Sequence, residues 1–183
     1  MRFTHRKVAR LGAAGFAALL FAAAMPIASA GETNGVLAEF EGTMIDLAED
    51  WGEATACHIG DDVAMCFRSE ADMDSWLESN SEARTLGPIV IASSCLSTLR
   101  LYDGTGWTGS SLSLSTGSQW LNLSNYGFDQ KTSSYKIGAC AAQFADLSGG
   151  GGGWYLSSLT TAYSQYPSMQ SGWDNDVSSV YIY

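Results

Sequence analysis

Two short stretches decide the fold: DQKTSSYKI at residues 129–137 and DNDVSSVYI at residues 174–182. They share the pattern D-x-x-x-S-S-x-x-I and begin 45 residues apart. Around them, runs of β-branched and aromatic residues alternate with turns rich in Gly, Ser, Asn and Asp, which is typical of a β-sandwich. A unit of this length is too small to bury a core alone, so we expect the two copies to pair face to face. The predicted strands are 98–102, 111–114, 133–137, 142–145, 154–156 and 178–183.

The composition of the 183-residue chain changes sharply near Pro88. Residues 31–86 carry fourteen acidic and two basic residues, whereas residues 95–183 carry five acidic and three basic residues and no glutamate. These different compositions suggest two structural units, an acidic segment at residues 31–92 and a β domain at residues 93–183. The formal charge of −10 argues against a nucleic-acid partner, because phosphate backbones repel an acidic protein.

The first thirty residues have the composition of a secretory signal peptide. Four basic residues lie within residues 1–10, residues 11–27 are almost wholly apolar, and residues 28–30 (ASA) supply the small side chains that cleavage requires. We therefore expect a secreted, extracellular protein with no membrane contact after cleavage at residue 30. Without these residues the chain keeps all nineteen acids and five basic residues, a formal charge of −14.

Export to an oxidising compartment makes disulfides the default state of the four cysteines, Cys57, Cys66, Cys95 and Cys140. Four cysteines allow three pairings, and the sequence alone does not choose between them. We favour Cys57–Cys66 and Cys95–Cys140, because the turn-forming stretch GDD at residues 60–62 would fold the first cysteine back towards the second.

Within the acidic segment, residues 55–67 are predicted to form a disulfide-clamped hairpin that precedes a short helix. Ser69 and Asp72 have the spacing of a helix-capping box, and the apolar residues that follow recur with a helical period. Asn80 is the expected end of this helix.

The earlier part of the acidic segment is ambiguous. Its apolar residues between 36 and 51 fit a helical period, yet Gly42 would cost about 1 kcal/mol inside a helix. We therefore favour a strand at residues 43–47. A segment of about sixty residues is small for an independent core, so we expect it to depend on its disulfide or to dock on the β domain.

A hairpin pattern, together with the repeated stretches, points to a known family. Residues 102–109 (YDGTGWTG) read as aromatic, four residues, aromatic, any residue, Gly. With the repeats, this pattern resembles the βγ-crystallin Greek-key domain, whose two motifs form two four-stranded sheets. The second copy departs from the signature, since Phe144 is followed by five glycines at 149–153 before Trp154, and no Gly stands two residues further. The second hairpin is therefore expected to be longer. The layout also looks like secreted actinobacterial proteins with a small Cys-containing segment before such a domain.

The resemblance also implies a calcium site. The family signature is acid or amide, acid or amide, any, any, Ser or Thr, Ser. Residues 174–179 meet every position, and residues 129–134 meet all but the second, where Gln130 stands. In the family each ion is shared between the two motifs, and oxygen ligands suit a hard cation such as Ca²⁺. The alternative is that these residues only close turns and cap strand ends.

The residues implied for the metal site come from both stretches. They are Asp174, Asn175, Asp176 (by its carbonyl) and Ser178 in the second stretch, and Asp129, Lys131 (by its carbonyl) and Ser133 in the first.

No enzyme motif stands out, because the sequence contains no HExxH, no GxSxG and no phosphate loop. The expected function is therefore non-enzymatic: a secreted, calcium-binding protein with a binding or structural role. One alternative is an inhibitor of extracellular proteases, since secreted actinobacterial metalloproteinase inhibitors use the same small fold. Another is a wall-directed or killer-toxin-like protein that contacts cell-wall polymers. The sequence indicates no oligomeric state.

Overall fold

The computed structural model describes residues 35–85, 98–157 and 159–183, with the backbone alone for residues 81–85. The predicted signal peptide and Cys95 lie outside the described residues, so the expectations that rest on them stay predictions. None of the helices formed by the described residues is long and apolar enough to cross a membrane.

The first part of the acidic segment is a tight hairpin. β1 (Leu37–Phe40) and β2 (Thr43–Asp46) pair in antiparallel fashion. Glu41 and Gly42 connect them with positive φ angles of 50° and 80°, as a two-residue turn between strands requires. The strand expected at residues 43–47 is therefore confirmed. Gly42 lies in the turn that precedes this strand, and not inside a helix.

The second hairpin carries a disulfide. β3 (Ala56–Ile59) and β4 (Ala64–Phe67) are antiparallel, with Cys57 directly opposite Cys66. These two cysteines are bonded, with an S–S distance of 2.01 Å, which confirms the predicted clamp. Cys140 is also disulfide-bonded, and its predicted partner lies outside the described residues.

One helix, α1 (Glu70–Thr85), follows. Ser69 caps its start, as the spacing predicts, because the amide of Asp72 donates to Ser69 Oγ (3.1 Å). The Ser69 hydroxyl in turn donates to the Asp72 carboxylate (2.6 Å), in place of the backbone bond that would complete a capping box. The predicted end at Asn80 is wrong. The Asn80 amide donates to the carbonyl of Trp76 one turn earlier (2.8 Å), so this side chain supports the helix that continues past it.

The Greek-key half, residues 98–183, supplies the remaining strands that the structure describes. They are β5 (Leu99–Gly104), β6 (Thr108–Leu114), β7 (Trp120–Asn122), β8 (Ser134–Lys136), β9 (Ala142–Ala145), β10 (Gln165–Tyr166) and β11 (Ser179–Ile182). The sequence does not predict β7 and β10, because three and two residues carry too little alternation to be recognised.

The strand predicted at residues 154–156 is wrong. Trp154 forms a single bridge to Ala145, and the chain then turns into a 3₁₀ helix at Tyr155–Ser157. Leu156 and Ser157 have φ angles of 58° and 52°, in the left-handed region that a strand cannot contain.

The strands form two sheets. One has eight strands in the order β10-β8-β5-β6-β3-β4-β1-β2, and the other has three in the order β7-β11-β9. The acidic segment joins the first sheet because β3 runs parallel to β6, with Cys57 opposite Leu112. The predicted boundary between residues 92 and 93 lies outside the described residues and stays a prediction, but the strands on either side of it form one sheet.

The two halves also share one hydrophobic core. Ala38 and Leu47 of the acidic segment belong to the same buried cluster as Leu101, Phe144 and Val180 of the Greek-key half, and each is fully buried. The expectation that the acidic segment docks on the β domain is thereby confirmed.

A close seam holds the turn after β2 against the Greek-key half. The Trp51 indole nitrogen donates to the carbonyl of Tyr126 (2.9 Å), and the indole stacks on Phe128 with ring centroids 5.7 Å apart. Gly127 lies so close to this segment that a Cβ on it would stand 2.2 Å from the Leu47 carbonyl oxygen. Only glycine fits there without a movement of the backbone.

Candidate metal centre

The two repeated loops lie side by side and bond to each other in the same way. The Gln130 amide donates to the carbonyl of Val177 (2.9 Å). Its counterpart 45 residues later, the Asn175 amide, donates to the carbonyl of Thr132 (3.0 Å). Gln130 and Asn175 also share a left-handed backbone, with φ angles of 52° and 57°. The repeat in the sequence is therefore a repeat in space, with the loops related by an approximate twofold axis.

The last serine of each repeated loop fastens the hairpin of its own motif. Ser134 Oγ accepts from the amide of Trp107 (3.0 Å) and donates to the carbonyl of Gly104 (2.6 Å). Ser179 Oγ makes the same two bonds. It accepts from the amide of Gly150 (2.9 Å) and donates to the carbonyl of the residue three positions before Gly150 (2.6 Å). Both serines are buried and each satisfies two backbone groups, so neither hydroxyl is offered to a metal.

An aspartate closes each hairpin. Asp103 Oδ1 accepts from the amide of Ser110 (2.7 Å), and Asp146 Oδ1 accepts from the amide of Gly153 (2.8 Å), seven residues later in both cases. The two hairpins are thus built to one plan, and the second is not the longer, divergent loop that its five glycines suggest.

The glycine of the hairpin signature shows that the interpretation of Trp154 as the aromatic residue of the second hairpin is wrong. Gly109 and Gly152 have φ angles of 78° and 75°, and a Cβ on either would lie 1.9 or 1.8 Å from the aspartate oxygen of its hairpin. Gly152 is therefore the signature glycine, and Trp154 is not the signature aromatic. That position is taken by Gly150, where a Cβ would stand 2.1 Å from the indole of Trp120. The spacing Asp, five residues, Gly is the signal that would have identified the second hairpin.

Two of the predicted ligands meet across the motifs. Ser133 Oγ donates to Asn175 Oδ1 at 3.3 Å, so one oxygen comes from each repeated loop. Ser133 is buried and Asn175 is exposed, which places this pair where the interior meets solvent. The equivalent pair is Ser178 and Gln130, and in the part of the chain that the structure describes no hydrogen bond joins their side chains.

The other predicted ligands surround this pair without joining it. Asp129 and Asp174 are exposed, and Asp176 is half-buried. The Lys131 ammonium donates to the carbonyl of Gly127 (2.7 Å). Across residues 35–85, 98–157 and 159–183, no three His, Cys, Asp or Glu side chains converge as a metal site would require. An ion between these loops would therefore be held by hydroxyl, amide and carbonyl oxygens more than by carboxylates.

An open cleft of about 520 Å³, which the sequence analysis did not predict, adjoins the first repeated loop. Its walls combine the acidic segment with the Greek-key half, and four of its lining side chains are Glu49, Asp50, Asp103 and Asp129. Lys131 is the one cation among the lining residues. The lining of the cleft beside the repeated loops is therefore acidic on balance.

The molecule is a two-motif Greek-key protein with an acidic segment that adds strands to one of its sheets. Its two hairpins share one plan, its two D-x-x-x-S-S loops are paired, and its two sheets share one core. The fold is βγ-crystallin-like. Similar solved structures include a βγ-crystallin from Ciona intestinalis, with 23% identity over 47% of this chain and 99% of that chain and a TM-score of 0.40. A βγ-crystallin from an archaeon has 20% identity over 48% of this chain and 98% of that chain, with a TM-score of 0.40. The N-terminal domain of Protein S has 17% identity over 47% and 94% of the two chains, with a TM-score of 0.39. No protein-family model matches the sequence, and no curated protein matches it.

Proposed function

We propose that this chain is a non-enzymatic, exported binding or structural protein that takes up Ca²⁺ between its two repeated loops. The observation that carries the proposal is the 3.3 Å approach of Ser133 Oγ to Asn175 Oδ1, which brings one oxygen from each motif to a single point. The two repeated loops would then be linked by the ion as well as by their backbone hydrogen bonds.

The donor set fits calcium. Ca²⁺ binds oxygen ligands at about 2.3–2.6 Å, including carbonyls and amide oxygens. Two oxygens 3.3 Å apart are close enough to contact one such ion together. The backbone carbonyl of Lys131, two residues before Ser133, is a further ligand that the sequence implies, and that of Asp176 is its equivalent beside Ser178. The exposed Asp129 and Asp174 add negative charge nearby. With few carboxylates in the site, we expect a dissociation constant on the order of 10⁻⁵ to 10⁻³ M.

The two repeated stretches differ in the oxygen ligands that they offer to calcium. Asn175 has an amide oxygen that meets Ser133, whereas Gln130, in the equivalent position, makes no such contact with Ser178 in the described structure. One site per chain is therefore expected to dominate. It combines the second residue of the later stretch with the serine of the earlier one, so neither stretch forms the site alone.

The surroundings of His58 argue against a catalytic role for this histidine. His58 is 3% exposed, and its Nδ1 lies 3.2 Å from Ser113 Oγ, which is also buried. A ring contact with Trp76 covers the imidazole further (centroids 5.9 Å apart). A histidine and serine enclosed in this way offer no surface on which a substrate could bind, and neither lines the acidic cleft.

Calcium is expected to raise the melting temperature through the Ser133–Asn175 pair. At a Ca²⁺ concentration one hundred times the dissociation constant, linkage adds about 2.7 kcal/mol to the folded state. For a chain of this length that corresponds to a rise of roughly 5–10 °C. Asn175→Ala and Ser133→Ala should each remove most of the rise, because each deletes one of the two meeting oxygens. Differential scanning calorimetry with and without Ca²⁺ measures this directly.

Two controls separate a site from general screening of negative charge. Ser178→Ala removes the equivalent serine of the other stretch and should keep most of the calcium effect, and Mg²⁺ should stabilise the wild type far less than Ca²⁺. The proposal fails if both ions raise the melting temperature equally and Asn175→Ala leaves that rise intact.

A further inference from the structure

A second cluster of polar groups lies away from the repeated loops, where α1 meets the sheet. Arg100 Nη1 donates to Glu70 Oε1 (2.5 Å), and the Tyr102 hydroxyl donates to the same oxygen (2.6 Å). Lys136 Nζ lies 3.9 Å from this oxygen as well. The other terminal nitrogen of Arg100, Nη2, donates to Asp74 Oδ1 (2.6 Å). Two hydrogen-bond donors and a nearby ammonium thus surround one carboxylate oxygen, and the guanidinium bridges two carboxylates.

The donors and the acceptors belong to different parts of the fold. Arg100 and Tyr102 lie two residues apart on β5, on one face, and Lys136 is directly opposite Arg100 on β8. The Greek-key sheet therefore presents all three donors in fixed register. The acceptors, Glu70 and Asp74, lie one turn apart on α1 in the acidic segment.

The sheet itself positions one of the three cationic or hydroxyl groups, the Lys136 ammonium. Lys136 Nζ lies 5.0 Å from the centroid of the Tyr102 ring and 5.4 Å from that of Trp107, so two aromatic rings position the ammonium. The Arg100 side chain is 13% exposed, whereas Glu70 and Asp74 are 32% and 47% exposed. The guanidinium thus lies deeper than the carboxylates that it binds, and its fork geometry suits the recognition of carboxylates.

The protonation states suit anion binding. Burial raises the pKa of Tyr102, and the hydrogen bond to Glu70 raises it further, so the phenol remains a donor at neutral pH. Burial alone would lower the pKa of Arg100, but the hydrogen bonds to Asp74 and Glu70 outweigh it and the net shift is upward. Both groups therefore stay protonated when a carboxylate is bound.

The helix that supplies the carboxylates rests on the sheet through a short apolar face as well as through its ion pairs. Among the described side chains of α1, residues 70–80, Met73 is fully buried, Trp76 and Leu77 are half-buried, and Trp76 contacts the Phe67 ring (centroids 5.8 Å apart). Glu70 and Asp74 lie on the first turns of α1, at the edge of this apolar face, and both carboxylates are partly exposed to solvent. Water and dissolved carboxylates can therefore reach them without unfolding of the apolar face.

We propose that Arg100, Tyr102 and Lys136 form a carboxylate-binding site on the Greek-key sheet, which Glu70 and Asp74 of α1 occupy in cis. Within the intact chain, α1 is then a tethered competitor of any carboxylate ligand, whether a small carboxylic acid or an acidic peptide side chain. A ligand gains access when the first turn of α1 withdraws its two carboxylates.

Rescue of a truncated side chain by acetate tests the site. Glu70→Ala empties the position of the central carboxylate, and the melting temperature should fall. Sodium acetate should restore at least half of that fall in a saturable way, whereas sodium chloride at equal ionic strength should not. The wild type should show no acetate-specific gain, because Glu70 already fills the site. If Glu70→Ala does not fold, Asp74→Ala, which removes the more exposed partner, is used in the same comparison.

A matched variant controls for salt effects. Glu41→Ala removes a carboxylate from Arg68, an exposed arginine that also contacts two carboxylates, and should show no acetate-specific gain. The proposal is overturned if acetate and chloride act alike on Glu70→Ala, or if Glu41→Ala gains as much from acetate. Phosphate that rescues Glu70→Ala as well as acetate does would also overturn it, since the site would then be a general anion site.

Discussion

Gly127→Ala should lower the free energy of unfolding by about 3 kcal/mol or more, because the added methyl group cannot be accommodated by moving a side chain. Its Cβ would stand 2.2 Å from the backbone carbonyl oxygen of Leu47, and the residue has a φ of 62° that disfavours any L side chain. Relief requires the turn after β2 to move off the Greek-key half and to break the Trp51 contacts with Tyr126 and Phe128. Urea unfolding monitored by tryptophan fluorescence measures the loss.

The control for this substitution is Gly106→Ala. Gly106 has nearly the same backbone, with a φ of 68°, but an added Cβ there would meet nothing within 4 Å. This variant should lose only the intrinsic cost of a left-handed backbone, about 1–2 kcal/mol. Equal losses at the two positions would mean that the close seam between the acidic segment and the Greek-key half contributes nothing.

Arg100→Ala should destabilise the chain by about 2 kcal/mol, since it removes the buried cation that pairs with Glu70 and Asp74, while the partial exposure of those two carboxylates limits the cost. Glu70 would lose its shortest contact, and the Tyr102 hydroxyl would remain as its main partner. Chemical unfolding at neutral pH measures the change, and far-ultraviolet circular dichroism follows the loss of α1 in the same samples.

Arg68 provides the comparison, because it also contacts two carboxylates, Glu41 and Glu53, at 2.6 and 2.5 Å. Its side chain is 52% exposed, so water and salt screen both ion pairs. Arg68→Ala should therefore change stability little, if measurably. Similar losses for the two arginines would show that burial does not determine the strength of the Arg100 cluster.

The repeat was recognisable from the sequence because each of its polar residues has a local task. Ser134 and Ser179 each bond to the hairpin of their own motif, and Gln130 and Asn175 each adopt a left-handed backbone. Because both copies need the same residues at the same positions, the repeat is visible in the sequence. The second hairpin was not predicted correctly, because Trp154 was taken as its signature aromatic residue. The hairpin depends instead on the aspartate and the glycine that close it.

Contacts between distant residues account for what the sequence did not predict. The parallel pairing of β3 with β6 places Cys57 opposite Leu112, which is 55 residues away in the sequence. Neither strand carries a local pattern that identifies the other as its partner. The contact between Ser133 and Asn175 joins residues 42 positions apart. The signature named both residues, but only the packed loops show that these two meet while Ser178 and Gln130 do not.

Calcium titration of the purified chain by isothermal calorimetry tests the central proposal most directly. We predict one Ca²⁺ per chain, with a dissociation constant on the order of 10⁻⁵ to 10⁻³ M, and loss of that heat in Asn175→Ala. Gln130→Asp should add a second, weaker event, because it places a carboxylate at the position equivalent to Asn175. Absence of calcium heat in the wild type, or unchanged heat in Asn175→Ala, would contradict a calcium site between the repeated loops.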